Sequence, residues 1–390
     1  MFLGLSIAAI LYSPVSSILF LVGTGLYALF RLKLSQFRAN IWTDSLFLLT
    51  VWSIFVAMEQ NSIVSLTASL ALLLFWLLSQ VILNLHWDEE KLYSLLSKTF
   101  HLGTGTALIG WLEQWSFLPN EGNLWTWALG WVPFVPIDEP RISGTFSNPN
   151  FAAAWYTALI LIGIFIWEQK TGKLWQYVIG FELSFTAGAL YFTGSRGGIL
   201  AVIAGLFVYL LIRFRTKAPY YLTSAFSLGL GIFVWNPELL PRSDIFWKSL
   251  DTRLEIWRTG WNLFLHKPIT GYGLANMWFL DPWVTHYPMR LPHAHNIFLS
   301  MAVDLGIVGL FLLLVMIYQV IHDLISLSAA GHPYAAILGA IVASLLTQGM
   351  VDHILFLPQV AIIFIVTSSL ILKLNEVYVP NGRMLPLLLH

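Results

Sequence analysis

Residues 296–319 read NIFLSMAVDLGIVGLFLLLVMIYQ, with Asp304 as the one charged side chain. As an α-helix rising about 1.5 Å per residue the run reaches about 36 Å, enough to cross a hydrocarbon layer of about 30 Å. Working outward, ten further apolar runs of comparable character lie near residues 4–30, 41–58, 62–83, 92–112, 148–167, 175–193, 197–213, 219–235, 334–350 and 354–373. The whole chain carries the same signature. Of its 390 residues 57% are hydrophobic and 10% charged, against about 25% charged in soluble domains, and the mean hydropathy is +0.74. Too few charges remain to cover a water-facing globule, so a soluble enzyme is excluded. The expected fold is an all-α integral membrane protein, residues 1–390 forming one polytopic bundle of about 11–12 transmembrane helices. Its upper count depends on Ser13-Pro14, where proline removes a backbone donor and can kink or divide the first run. That run is too long for the apolar part of a signal peptide and no basic residue precedes it, so it is expected to be retained.

Twenty Lys and Arg balance twenty Asp and Glu, and with no basic excess nucleic acid is not an expected partner. The absence of cysteine excludes disulfides, thiolate metal sites and cysteine nucleophiles. When the spans alternate, Arg31, Lys33 and Arg38, then Lys170 and Lys173, then Arg213, Arg215 and Lys217 share one face, which the positive-inside rule makes cytoplasmic. The opposite face receives two long connections, residues 113–147 and 236–294, and the short turns at Ser195-Arg196 and Asp352-His353. Connections of that length rich in Trp, Pro and Asn point to function. Trp111, Trp115, Trp125, Trp127 and Trp131 cluster there, as an interfacial aromatic belt or as platforms for sugar or lipid.

Ser195-Arg196-Gly197-Gly198 ends one span and opens the next. Ser195 is placed to cap, the glycines leave room at the backbone, and the first helical amides face the same volume as the Arg196 guanidinium, which makes an anion site. In the second outer connection Leu250, Leu254, Trp257, Trp261 and Phe264 recur at three- or four-residue intervals, which predicts an amphipathic helix near 249–265 lying in the outer interface and holding Arg253 at headgroup depth. Pro292-His293-Ala294-His295-Asn296 then enters the 296–319 span, so His295 lies at its cap, where the positive helix end favours a neutral imidazole able to accept a hydroxyl proton. A metal site built from His286, His293 and His295 is the rival reading of these histidines, although no carboxylate or thiolate matches them in sequence. Asp304 and Glu182 fall inside apolar spans and are candidates on cost alone. Asp304 can serve as a partner within the bundle, and Asp352 can orient His295. Arg242 belongs to no motif, and Arg242→Lys is expected to cost less activity than Arg196→Lys.

These pieces together resemble the O-antigen ligase and O-antigen polymerase superfamily of bacterial integral membrane glycosyltransferases. Arg196 with Leu200 is similar to that family's R-x3-L element, and His295 with Gly306 to its H-x10-G element. Asp251-Thr252-Arg253 through Trp257, followed by His266-Lys267-Pro268 and Gly271-Tyr272-Gly273, resembles its outer-loop arginine region. Arg141-Ile142-Ser143-Gly144-Thr145-Phe146-Ser147-Asn148-Pro149-Asn150 resembles the segment before its central spans. The resemblance implies a C-type glycosyltransferase-like fold in the bacterial inner membrane with the active site on the periplasmic face. It implies an O-antigen ligase that moves an oligosaccharide from undecaprenyl diphosphate to a glycan or glycolipid acceptor such as a lipid A-core sugar, by inverting transfer without metal or other cofactor. His295, Arg196 and Arg253 would be catalytic, with Arg196, Arg253, Ser195, Gly197, Arg141 and Asn296 binding diphosphate or sugar and Asp352 and Asp304 behind them. A polysaccharide polymerase with the same donor is the alternative within the class, and a transporter, the inorganic-carbon label some relatives carry, the alternative outside it.

Overall fold

The computed structural model describes residues 12–118, 122–132, 141–221, 223–224, 227, 238, 241–285, 287 and 290–379. Among them no strand occurs. The long helices are α1 Pro14–Arg31, α2 Ile41–Glu59, α3 Ile63–Asn84, α4 Glu89–Gln114, α5 Pro149–Gln169, α6 Lys173–Phe192, α7 Arg196–Phe214, α8 Phe246–His266, α9 Ile297–Ala329, α10 Ala335–Gly349 and α11 Pro358–Tyr378. Seven of these, α1, α2, α3, α5, α7, α9 and α11, are long and apolar enough to cross a membrane, and α10 is a shorter apolar helix. The protein is therefore an all-α polytopic membrane protein. Ten of the eleven expected runs coincide with helices, and most of the eleventh, near 219–235, lies outside the described residues.

Backbone groups at helix ends have no intrahelical partner, and lipid offers none. The sequence supplies partners at the helix starts: side chains of Ser13, Asn40, Ser62, Asp88, Asn148, Ser195 and Asn296 accept amide hydrogens at the first turns of α1, α2, α3, α4, α5, α7 and α9. Ser13-Pro14 is thus a capped helix start with proline in the first turn, and residues 1–11 lie outside the described part.

The core sits around α5, whose Ala152–Leu159 stretch is fully buried. Polar atoms there are paired: Trp155 Nε1 donates to Thr106 Oγ1 at 2.8 Å and Tyr156 OH to the Thr106 carbonyl at 3.2 Å. The α7–α10 interface is the most extensive in the bundle.

α9 is not the continuous helix its apolar run predicts. Gly306, with φ 66° and ψ −162°, breaks it in a backbone region open essentially to glycine alone. The segment 268–273 fills the break: Ile307 N–H donates to the Pro268 carbonyl at 2.8 Å, Tyr272 N–H to that of Val303 at 2.9 Å and Gly273 N–H to that of Asp304 at 2.7 Å. Trp52 Nε1 takes the Leu305 carbonyl at 2.9 Å. Three of the groups at the break are thereby answered from the connection before α9 and a fourth from α2, which locks that connection to the bundle.

α8 packs Ile256, Thr259, Gly260 and Leu263 inward, onto a small second core with Tyr272, Met277, Tyr287, Leu291, Ala294 and Val303. Leu250, Leu254 and Trp261, three of the stripe the periodicity marked, remain exposed on another side. The helix accordingly has two apolar sides, one packed on the protein and one exposed. The inward one was hidden in sequence because Thr259 and Gly260 are small. A Cβ at Gly260 would come within 3.0 Å of Leu299 Cδ2.

Arg38 pairs with Glu376 at 3.1 Å and Arg215 donates to the Ser328 carbonyl, so the basic loops gather at the bundle end formed by the last turns of α1, α7, α9 and α11. The starts of α5, α7 and α9 and the end of α10 lie at the other end, and there α8 is docked.

Candidate active site

Four short pieces of chain converge at that second end. The turn between α6 and α7 presents Arg196 at the first position of α7, where Ser195 Oγ accepts from Gly198 N–H at 3.3 Å. A Cβ at Gly197 would lie 3.0 Å from Val351 Cγ2 and one at Gly198 2.8 Å from Ala153 Cβ. These glycines therefore allow close helix packing on that side. The amides of Arg196 and Gly197 still lack intrahelical acceptors by their position in the first turn. The Arg196 guanidinium lies 4.9 Å from the centre of the Phe246 ring, which ties α7 to the start of α8.

α8 then forms one wall of a cleft of about 310 Å³ lined by Arg242, Ile245, Lys248, Ser249, Thr252, Arg253, Ile256 and His295. Its charged lining is entirely basic. Arg242 enters it from a left-handed turn (φ 59°) before α8, and a Cβ on Gly194 would meet Arg242 Cδ at 3.0 Å and Arg141 Nε at 3.2 Å. No motif flagged Arg242, because its place depends on a turn and on a glycine 48 positions earlier in the chain. The opposite flank of α8 carries a second, wider cleft of about 590 Å³ lined by Leu254, Trp257, Arg258, Trp261, Asn262, Asn296 and Leu299.

His295 sits at φ 48°, a conformation uncommon outside glycine. Trp257 Nε1 holds its carbonyl at 3.2 Å. Its ring Nδ1 lies 2.9 Å from Asp352 Oδ1. With Asp352 accepting at Nδ1, the imidazole is the tautomer whose Nε2 carries the lone pair. Asp352 is buried. Burial pushes its pKa up, but His295, His293 and Arg253 more than offset this and hold the carboxyl well below the usual carboxylate range. His293 is buried against His295, His353 and Phe356, its Nδ1 accepting the His295 N–H at 3.2 Å. Burial lowers its basicity and that of His353, the latter to about 4.

Other residues of the expected site take different places. Asn296 is occupied: Oδ1 caps α9 by accepting from Phe298 and Leu299 N–H at 2.9 and 3.0 Å, and Nδ2 donates to the Met350 carbonyl at 2.8 Å. It caps α9 and at the same time lines the wider cleft. Asp304 is buried beside Gly306 and accepts the Ala275 N–H, serving the outer connection. Arg141 does not reach into the cleft lining; Nε donates to the Thr193 carbonyl at 2.6 Å and Nη2 to Asn150 Oδ1 at 2.9 Å. Glu182 pairs with His101 at 2.8 Å between α6 and α4, away from these pieces. His293, His295 and Asp352 place ligand-capable atoms within 4.8 Å of one another. They are the residues that could hold a metal, at the expense of the His295–Asp352 hydrogen bond. His286 lies outside the described residues.

Residues 181–314, which contain Arg196, Arg242, Arg253 and His295, match the family model described as O-antigen ligase. Over this stretch the chain is similar to the O-antigen ligase superfamily. A candidate polysaccharide ligase of Rickettsia conorii is 29% identical over 191 residues, 45% of this chain and 44% of the relative. An O-antigen ligase of Pseudomonas aeruginosa is 25% identical over 247 residues, 60% of this chain and 59% of the relative. The chain thus spans about half the length of the curated relatives it matches. Within the O-antigen ligase stretch fall both halves of the R-x3-L and H-x10-G pairs. Asp352, Asn150 and Arg141, which stand behind His295, fall outside it.

Proposed function

We propose that the protein is an O-antigen ligase-like glycosyltransferase that moves an oligosaccharide from undecaprenyl diphosphate to an acceptor hydroxyl, such as that of a lipid A-core sugar, at the periplasmic face of a bacterial inner membrane. The observation that carries this reading is the His295–Asp352 pair opening onto a cleft whose charged lining is Arg242, Lys248 and Arg253. A base held in one tautomer faces a volume suited to a diphosphate, and the interfacial side of α8 adjoins it.

In the proposed step the acceptor hydroxyl gives its proton to His295 Nε2 as its oxygen attacks the anomeric carbon. The bond from that carbon to the diphosphate oxygen breaks with inversion, and its electron pair leaves on undecaprenyl diphosphate. Arg196 at the start of α7 and Arg253 in the cleft stabilise the charge gathered there. Asp352 stabilises the imidazolium that forms. The products are the lengthened glycan and the free lipid diphosphate.

His295→Ala in the purified protein tests this. Transfer from a lipid-linked donor should fall by about 10²- to 10⁴-fold with donor binding retained, and His293→Ala should be milder. Wild-type transfer by His295→Ala would remove His295 as the base. The His293, His295 and Asp352 cluster supports a second reading, metal-assisted transfer. EDTA should leave activity unchanged under the first reading, and inhibition that zinc reverses would establish the second. A polymerase differs only in acceptor, and chain-length analysis of the product separates it from a ligase.

A further inference from the structure

Asn150 lies at the second position of α5, after the cap Asn148 and Pro149, where its side chain is not needed by the helix; its own N–H goes to Asn148 Oδ1 at 2.8 Å. Its backbone is pinned from α10, since Gln348 Nε2 donates to the Asn150 carbonyl at 2.6 Å. Its amide bridges two charges. Nδ2 donates to Asp352 Oδ2 at 2.5 Å, while Oδ1 accepts from Arg141 Nη2 at 2.9 Å. Only this orientation of the amide works, because a carboxylate cannot donate and a guanidinium cannot accept. Asp352 Oδ1 is meanwhile shared by His295 Nδ1 at 2.9 Å and the His353 N–H at 2.8 Å. Both carboxylate oxygens are therefore held, and the plane in which Asp352 meets the imidazole is set by Asn150.

We infer that Asn150 and Arg141 are positioning residues for His295, forming a line Arg141–Asn150–Asp352–His295 that orients the base and balances the buried carboxylate, and that Arg141 acts through this line and not on the substrate. The inference rests on the reading of His295 as the base. Asp352 is the member that makes the line necessary. A buried carboxylate with one unpaired oxygen could turn about its Cβ–Cγ bond and offer His295 a different geometry. The polar end of Asn150 prevents this, and the remote guanidinium supplies the countercharge without placing a second cation against the imidazole. Besides Asp352, the groups facing His295 are His293 and His353 from the adjoining turns, Arg253 and Lys248 from α8 and Arg242 before it, the last three lining the cleft with the imidazole. None of these contacts Asp352 Oδ2 by a hydrogen bond in the set Asn150 completes.

The test is steady-state transfer by the purified full-length protein from undecaprenyl diphosphate-linked oligosaccharide, over pH 5–9 chosen as a working range of about four units around neutrality. Asn150→Ala should lower kcat about 10-fold or more while the donor KM stays within about 3-fold, as for loss of an outer partner of a positioned group. Asn150→Asp, nearly isosteric, guards against a folding failure. It sets a second carboxyl against Asp352, adds negative charge behind the imidazole, and should move the acid limb of the kcat/KM profile to higher pH. Arg141→Lys should reproduce the kcat loss with donor KM unchanged. A raised donor KM at constant kcat in Arg141→Lys or Asn150→Ala would make these residues substrate ligands and overturn the inference. Wild-type kcat and an unmoved profile in Asn150→Asp would overturn it as well. Both results leave His295→Ala inactive, whereas an active His295→Ala would strike the underlying reading instead.

Discussion

The carboxylate of Asp352 stands 2.9 Å from Nδ1 of His295 although the two are 57 positions apart in sequence. The contact joins the turn after α10 to the start of α9, and it decides which imidazole nitrogen is left for chemistry. Asp352→Asn should keep the packing but allow the wrong tautomer, because an amide can donate as well as accept. Transfer should fall about 10²-fold or more, with donor affinity within a few-fold of wild type. Measured kcat and donor binding check this, and an unchanged kcat would separate the carboxylate from catalysis.

Arg196→Lys should lose most activity although its charge is kept, since a planar fork can engage two phosphate oxygens and an ammonium acts as a point charge. Arg242→Lys should lose less, because Arg242 belongs to no motif, but Arg242 lines the cleft and Arg242→Ala should weaken binding of undecaprenyl diphosphate. Titration of the detergent-solubilised protein with that lipid distinguishes the two positions.

A cysteine placed at Ser249, which lines the cleft, should react with a membrane-impermeant maleimide added from the outer side of spheroplasts. The native chain has no cysteine, so the background is clean. Labelling confined to inside-out vesicles would place the site on the cytoplasmic face and remove the proposed donor orientation.

Gly306→Ala should destabilise the protein severely. The added Cβ would approach the Ile269 carbonyl oxygen at 2.0 Å, at a φ of 66° that alanine rarely adopts. The backbone strain alone is on the order of 1–3 kcal/mol, and the clash with backbone cannot relax by a rotamer change. Loss of folded material on size-exclusion chromatography is the expected result, and a wild-type melting temperature would contradict the break in α9.

Acidification should weaken the fold through His353. Its basicity is lowered by burial from the ordinary 6.5 to about 4, so the unfolded chain binds its proton first as pH falls. Its contribution is complete above about 6.5 and declines between 6.5 and 4, by up to about 3 kcal/mol at a little over 1 kcal/mol per unit. Asp352, held low, does not act in this window, because its contribution begins to fade only below its ordinary value of 3.8. Thermal unfolding in detergent between pH 7 and 4 should show the decline, and His353→Gln should reduce it, leaving the part that His293, likewise lowered by burial, contributes in the same window.

The apolar runs alone determined that this chain is a helical membrane protein and roughly where its helices lie, because about 20 residues without charge leave no other arrangement that satisfies the backbone in lipid. The caps were legible for the same local reason: Ser195 and Asn148 act within three residues of themselves. Spacing also marked Arg196, Arg253 and His295, and periodicity marked an amphipathic helix around 249–265. What spacing could not decide was contact. Asn150 is an ordinary polar residue in sequence, and Arg242 an arginine in a loop. Only the packing of α5 against the end of α10 brings Asn150 to Asp352, and only the bare Cα of Gly194 lets Arg242 lie against the turn before α7. Asn296 and Gly197 show how packing adds a role to a motif's neighbour, since one also caps α9 and the other also sits in a helix interface. The difference is physical: burial and capping are settled by a residue and its near neighbours, whereas a site is settled by which distant helix ends the bundle sets side by side.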